Sequence, residues 1–136
     1  MNAIDQFLRE SVERVQDLEG LAENLENLLN SGCYVWIERD GTRVLLQGRA
    51  LVERLKGLKI HIYPDEHPPP HFHVSSPDIN ATFSILDCTL LKGSVDRKTR
   101  ELIVHWHGAA RPKLVAFWNN TRPTDCPVGP IDNDEA

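Results

Sequence analysis

The chain has 136 residues, of which 40% are hydrophobic and 26% are charged, and its formal net charge is −5. This length fits one domain with an accessory element and is sufficient for a hydrophobic core. The three cysteines are an odd, widely spaced set, and no apolar run is long enough to span a membrane, so we expect a reduced, cytoplasmic protein without a membrane partner.

The negative charge is confined to the start of the chain. Residues 1–30 hold seven acids and two bases, a net charge of −5, so residues 31–136 balance at thirteen acids and thirteen bases. A balanced remainder gives no general electrostatic footprint for nucleic acid. One local basic face could still bind nucleic acid; the alternative is that these residues form an ordinary solvated surface. They are Arg43, Arg49, Arg54, Lys56 and Lys59.

Apolar residues at alternating steps of four and three run from Ile4 to Leu29. This pattern predicts one long amphipathic helix over residues 1–30, which ends at Asn30-Ser31-Gly32. Its repeat fits a coiled-coil seam, through which copies of the chain would pair as a homo-oligomer. The alternative is that the same apolar face folds onto its own domain.

The next segment predicts a β-hairpin. Residues 33–38 and 42–47 are typical of strands, and Asp40-Gly41 between them is a strong hairpin signal. Residues 49–56 fit either a short helix or a third strand.

From Lys59 to Val95 the sequence alternates between apolar and polar residues, which predicts an antiparallel meander. A helix capped by Asp96 follows; Gly108 interrupts it and a second helical stretch begins at Pro112. We therefore predict an α+β fold in which the C-terminal helices cover an antiparallel sheet and the long amphipathic helix precedes it. The predicted units are a helix over residues 1–30, an α+β domain over residues 31–120 and a disordered tail over residues 121–136.

The meander contains a loop rich in histidine, which reads Asp-Glu-His-Pro-Pro-Pro-His-Phe-His over residues 65–73. If a strand begins at Phe72, His71 and His73 project from one of its faces. Two such rings suit a divalent transition metal such as zinc, because neutral imidazole is a preferred ligand. The loop is therefore a candidate metal site.

The remaining ligands of this site depend on the proline spacer. His67 can be the third metal ligand only if the spacer turns, for example through a cis bond. Asp65 or Glu66 could then supply an oxygen ligand, orient an imidazole or act as a general base. The alternative is a structural turn or a binding surface with no metal.

A second pair of histidines, His105 and His107, lies on the predicted C-terminal helix. Residues two apart on a helix point about 200° away from each other, so both cannot face one site. We expect both to be surface residues, and His105 to be the one that joins the loop if either does.

Several segments between residues 59 and 119 carry a resemblance to a known family: Lys59–Val74, Ala81–Ile85 and Leu90–Ser94, together with Trp106 and Trp118. They resemble the bacterial family called domain of unknown function 4160. The resemblance implies a small bacterial protein often encoded beside a second small protein, in arrangements likened to toxin–antitoxin modules. Gly108 and Pro112 depart from the family's usually continuous, charged C-terminal helix.

Three functions fit these patterns. The first is a binding module of a toxin–antitoxin-like or defence system, which acts through a cognate small protein and uses residues 1–30 for assembly. The second is a metal-dependent hydrolase or nuclease, in which Asp65 or Glu66 activates a metal-bound water. The third is a metal-free nuclease with histidine as acid and base and arginine on phosphate.

Overall fold

The computed structural model describes residues 2–48, 54–63, 69–121 and 131. Its helices and strands form a mixed α+β fold with antiparallel sheets and a C-terminal helix, which confirms the predicted class at that level. In chain order the elements are α1 (Ala3–Glu13), α2 (Leu18–Leu29), β1 (Cys33–Ile37), β2 (Arg43–Gln47), β3 (Lys59–His61), β4 (His71–Ser75), β5 (Asn80–Ser84), β6 (Leu90–Ser94) and α3 (Arg97–Asn120).

The prediction of one long N-terminal helix is wrong, because the segment forms two short helices. The Asp17 side chain caps α2 by accepting a hydrogen bond from the Gly20 amide at 2.7 Å. On the other side of the break, the Lys113 ammonium donates to the carbonyls of Glu13 at 3.0 Å and Val15 at 2.7 Å. These bonds satisfy carbonyls that a continuous helix would have bonded internally.

Most apolar residues of the two helices pack within their own chain, although Phe7 of α1 is 69% exposed. Helix α1 contacts β2 and α3, and α2 contacts β3 and α3. Hydrogen bonds also link the helices, since the Trp106 indole donates to Asn24 at 3.0 Å and the Asn24 amide donates to the Ser11 hydroxyl at 3.0 Å. Ser11, a polar position in the apolar stripe, therefore forms a hydrogen bond between α1 and α2 of the same chain. Pairing between copies through residues 1–30 stays a prediction.

Strands β1 and β2 form the predicted hairpin in an antiparallel two-stranded sheet. Gly41 in its turn has a φ of 89°, a conformation that glycine adopts without steric cost. The Asp40 carboxylate accepts a hydrogen bond from the Thr42 amide at 2.9 Å, and hydrogen bonding to Thr42 lowers the pKa of Asp40.

The second sheet is the predicted meander, with strand order β3-β4-β5-β6 and antiparallel pairing throughout. One of its faces is apolar, and its largest side chains, Phe72 and Phe83, are completely buried. The Phe72 ring lies 6.1 Å from that of Trp106 in α3. The alternate residues of each strand form the opposite, polar face.

Helix α3 is continuous, so the predicted interruption at Gly108 is wrong. Pro112 lies inside the helix and has no amide hydrogen for the carbonyl of Gly108, four residues earlier. Gly108 is exposed, and, of the described residues, none outside this part of the helix comes within 4 Å of the position a Cβ would occupy there. Water can therefore hydrate this open side of the helix. The predicted N-cap is confirmed, since Asp96 accepts from the Thr99 amide at 2.7 Å.

Several predictions fall on residues outside this description. They concern residues 49–53 of the ambiguous segment and most of the predicted tail. Within that tail, Ile131 is buried, and its backbone amide and carbonyl bond to the Asn119 side chain at 2.7 and 3.1 Å. The division into three units stays a prediction. In the described part of the chain, no helix is long and apolar enough to cross a membrane.

Candidate functional site

The polar face of the four-stranded sheet carries one row of side chains across all four strands. His61 pairs with His73, His73 with Thr82, and Thr82 with Lys92. Directly opposed residues of neighbouring strands present their side chains on the same face. The row therefore brings two histidines, a hydroxyl and an ammonium-bearing side chain to one surface.

Aromatic rings extend this row toward the histidine loop. The rings of His61 and Tyr63 are nearly parallel, with centroids 5.4 Å apart, and the ring of Tyr63 lies 5.0 Å from that of His73. The ring of His71 meets His73 edge-on at 5.0 Å. Tyr63 is 47% exposed, so the cluster reaches solvent. We call His61, Tyr63, His71, His73 and Thr82 the histidine face.

His71 is the buried end of the histidine face. Its side chain is close to Trp118 of α3, with ring centroids 6.2 Å apart, and its Nδ1 lies 2.7 Å from the carbonyl oxygen of Pro69. A carbonyl only accepts hydrogen bonds, so Nδ1 carries the proton in the neutral ring and Nε2 carries the lone pair. A backbone bond that fixes the tautomer in this way is typical of metal-binding and proton-transferring histidines.

His73 has a different partner. Its Nδ1 lies 3.1 Å from the Thr82 hydroxyl, which is itself largely buried. A hydroxyl can donate or accept, so this bond is compatible with either tautomer of the ring. The Thr82 hydroxyl therefore orients the His73 ring but does not determine which of its nitrogens carries the proton.

Two of the five predicted site residues lie within the described residues. The structure brings His71 and His73 together on one strand face, while Asp65, Glu66 and His67 lie outside the description. Across the described ranges, no three His, Cys, Asp or Glu side chains form a group that could hold a metal ion. The roles of all five residues as ligands or bases stay predictions.

The prediction that both helical histidines are surface residues is wrong for His107. Its ring is buried and stacks on Phe72 at 6.4 Å, and its Nε2 donates to the Ile85 carbonyl at 2.6 Å. Burial lowers the pKa of His107, although the bond to Ile85 acts in the opposite direction. His105 lies elsewhere on the helix and its Nε2 bonds to Asp5 of α1 at 2.5 Å. The helix therefore separates the two rings, as the angular argument predicts.

Cys88 carries a thiol that is unsuited to nucleophilic chemistry. Burial raises its pKa to about 12, so the thiol stays protonated at neutral pH. A protonated, buried thiol neither attacks a substrate nor binds a metal readily.

The sequence-based site omits three members of the histidine face: His61, Tyr63 and Thr82. Alternation already places His61 and Tyr63 outward on their strand, opposite to Ile60 and Ile62. Their approach to His73 depends on the register between β3, β4 and β5, which no local pattern reveals.

All five residues of the histidine face lie in a segment of the chain that matches a known family model. Residues 57–119 match the family model described as a domain of unknown function (DUF4160), which confirms the resemblance seen in the sequence. No curated protein and no solved structure matches the chain.

Proposed function

With residues 57–119 matching a family of unknown function, we propose that this protein is a small bacterial binding module that acts through a cognate protein partner. The setting is a toxin–antitoxin-like or defence system, and the histidine face is the surface that contacts the partner. The observation that supports this most is the exposed Tyr63 side chain, which stacks on His61 and lies 5.0 Å from the tilted ring of His73.

Tyr63 has the properties of an interface anchor. It combines a large apolar ring with a polar tip, and nearly half of it is accessible. The neighbouring rings of His61 and His73 hold it in place, so little conformational entropy is lost when a partner covers it. Such pre-ordered aromatic residues commonly dominate the free energy of protein–protein binding.

The proposal also takes α3 as the cover of the opposite, apolar face of the sheet. The contacts of Phe72 with Trp106 and His107 support this arrangement. This cover leaves the part of the opposite face around Tyr63 accessible to a partner, while His71 and Thr82 on that face are buried.

The test is binding to a small protein that co-purifies with the chain from its native host, measured by calorimetry with the purified full-length chain. We expect Tyr63→Ala to weaken binding about thirtyfold, the loss typical of an anchor residue. The matched control is Trp36→Ala, because Trp36 is 55% exposed but lies on the separate β1–β2 hairpin. Equal affinities for the parent and Tyr63→Ala, or an equal loss in Trp36→Ala, would contradict the proposal.

A metal-dependent hydrolase or nuclease is the second candidate, favoured by the tautomer of His71. The bond to the Pro69 carbonyl leaves Nε2 as the basic nitrogen of the neutral His71 ring. The centroids of the His71 and His73 rings are 5.0 Å apart. Zinc held by these two residues and His67 would activate water, with Asp65 or Glu66 as the base.

Zinc titration of metal-free protein tests this candidate. The double variant His71→Ala, His73→Ala should bind zinc about tenfold or more weakly than the parent, whereas His105→Ala should bind it equally well. Binding should weaken below about pH 6, because protons compete with zinc for imidazole nitrogens. Unchanged zinc affinity in the double variant would show that zinc does not bind at the histidine face.

A further inference from the structure

A cleft of about 480 Å³ lies between α1, β2 and α3, away from the histidine face. This volume falls within the range of ordinary small-molecule sites. Six polar side chains line the cleft: Asn2, Asp5, Arg9, Thr42, Arg43 and His105.

The two arginines of the cleft form no ion pair within the part of the chain that the structure describes. Arg9 and Arg43 are exposed, and within the described residues neither makes a side-chain hydrogen bond or an ion pair. Guanidinium groups match the oxygens of phosphate and carboxylate in a planar, two-pronged geometry. Two such groups on one cleft favour an anionic ligand.

The acid of the cleft is already engaged. Asp5 bonds to His105, and the two side chains are only 16% and 14% exposed. The imidazole therefore holds the carboxylate near the base of the cleft and leaves both arginines to a ligand. Asn2 caps α1 at the same site, so the partial positive charge of the helix N-terminus adds to that of the arginines.

The rest of the lining is apolar. Leu8, Val44, Val104 and Ala109 supply hydrocarbon surface beside the charged groups, and Gly108 leaves the α3 side open. A cleft with an anion-binding edge and an apolar wall suits a molecule that has one charged end and an organic body.

We propose that this cleft binds a small phosphorylated molecule, with its phosphoryl group between Arg9 and Arg43 and its organic part against the apolar wall. A phosphate monoester carries nearly two negative charges at neutral pH, which matches two guanidinium groups better than a carboxylate does.

This site extends beyond the part of the chain that matches the family. Asp5, Arg9 and Arg43 precede residues 57–119, whereas His105 lies inside them. The preceding helices and hairpin thus complete a cleft that the family-like region does not form alone. Ligand binding here is separate from partner binding on the histidine face.

Calorimetry of the full-length chain with phenyl phosphate tests the proposal, because this probe has one phosphoryl group and one apolar ring. We expect binding in the millimolar range or tighter, weakened about tenfold or more in the double variant Arg9→Gln, Arg43→Gln. Each single variant should be weakened as well. The matched control is Arg39→Gln, an exposed arginine outside the cleft, which should bind like the parent.

Two comparisons complete the experiment. Benzoate presents the same ring with a carboxylate and should bind more weakly than phenyl phosphate. Thermal unfolding of each variant shows that the exposed substitutions leave the fold intact. Tighter binding of benzoate, no binding of phenyl phosphate at millimolar concentrations, or equal affinity in the parent and the folded Arg variants would each overturn the proposal.

Discussion

Two pairs of histidines in this chain have the same spacing and opposite outcomes. His71 and His73 lie two apart on β4, where their rings meet at 5.0 Å on one face. His105 and His107 lie two apart on α3, where one ring bonds to Asp5 and the other stacks on Phe72. A strand repeats every two residues and a helix every 3.6, so equal spacing creates a pair in one case and separates it in the other.

Between each pair lies a completely buried aromatic residue. Phe72 separates the first two histidines and Trp106 separates the second two, and their rings are 6.1 Å apart. The same hydrophobic contact therefore positions both pairs. Disrupting this contact should therefore affect both pairs.

Removal of the Phe72 ring should have the largest effect on both pairs. We expect Phe72→Ala to lower the free energy of unfolding by about 3–5 kcal/mol, because it leaves a cavity against Trp106. The more conservative Phe72→Leu should cost about 1.5 kcal/mol or less. Urea unfolding followed by fluorescence measures both. A loss below about 1 kcal/mol for Phe72→Ala would show that this contact does not anchor the pairs.

Acid should reveal the burial of His107. Burial lowers its pKa, so the unfolded chain binds a proton there at a higher pH than the folded chain does. Stability should therefore fall as pH decreases below about 6.5, by at most about 1.4 kcal/mol per pH unit for this one group. His107→Gln keeps a donor for the Ile85 carbonyl and should reduce that dependence.

Denaturation curves of parent and His107→Gln between about pH 7.5 and pH 5.5 make this measurement. Identical pH dependence in the two proteins would show that His107 titrates equally in both states. Protonation of His107 would then not change the free energy of unfolding.

His105 should contribute the smallest effect. Its bond to Asp5 is partly accessible to solvent, so we expect His105→Ala to cost about 1 kcal/mol or less. Asp5→Asn, which keeps an acceptor, should cost less still. A loss above about 2 kcal/mol for His105→Ala in urea unfolding would place this bond among the main supports of the fold, and the contrast with the buried ring would disappear.

Local chemistry was sufficient to predict much of this architecture. Asp40-Gly41 specified the hairpin, Asp96 the start of the last helix, and alternation after Lys59 the meander, because each signal acts within a few residues. The shared face of His71 and His73 follows from the strand period alone.

The errors arose where distant residues decide the structure. The break between α1 and α2 has a local sign in Asp17, the N-cap of α2, but its bonds to Lys113 come from about 100 positions away. His107 is buried because its ring stacks on Phe72 of β4 and bonds to the carbonyl of Ile85, which follows β5; both residues are distant in sequence. In the same way, the approach of Tyr63 to His73 required the strand register.

The bonds from Asp5 and Glu13 to α3 also affect how the chain is made. Each joins residues 100 positions apart in the sequence. A ribosome adds about 5–20 residues per second, so α1 emerges on the order of ten seconds before the partners that fix it. During this time residues 1–30 expose their apolar residues, and the seven acidic side chains of this segment keep it hydrated and repel other copies of it.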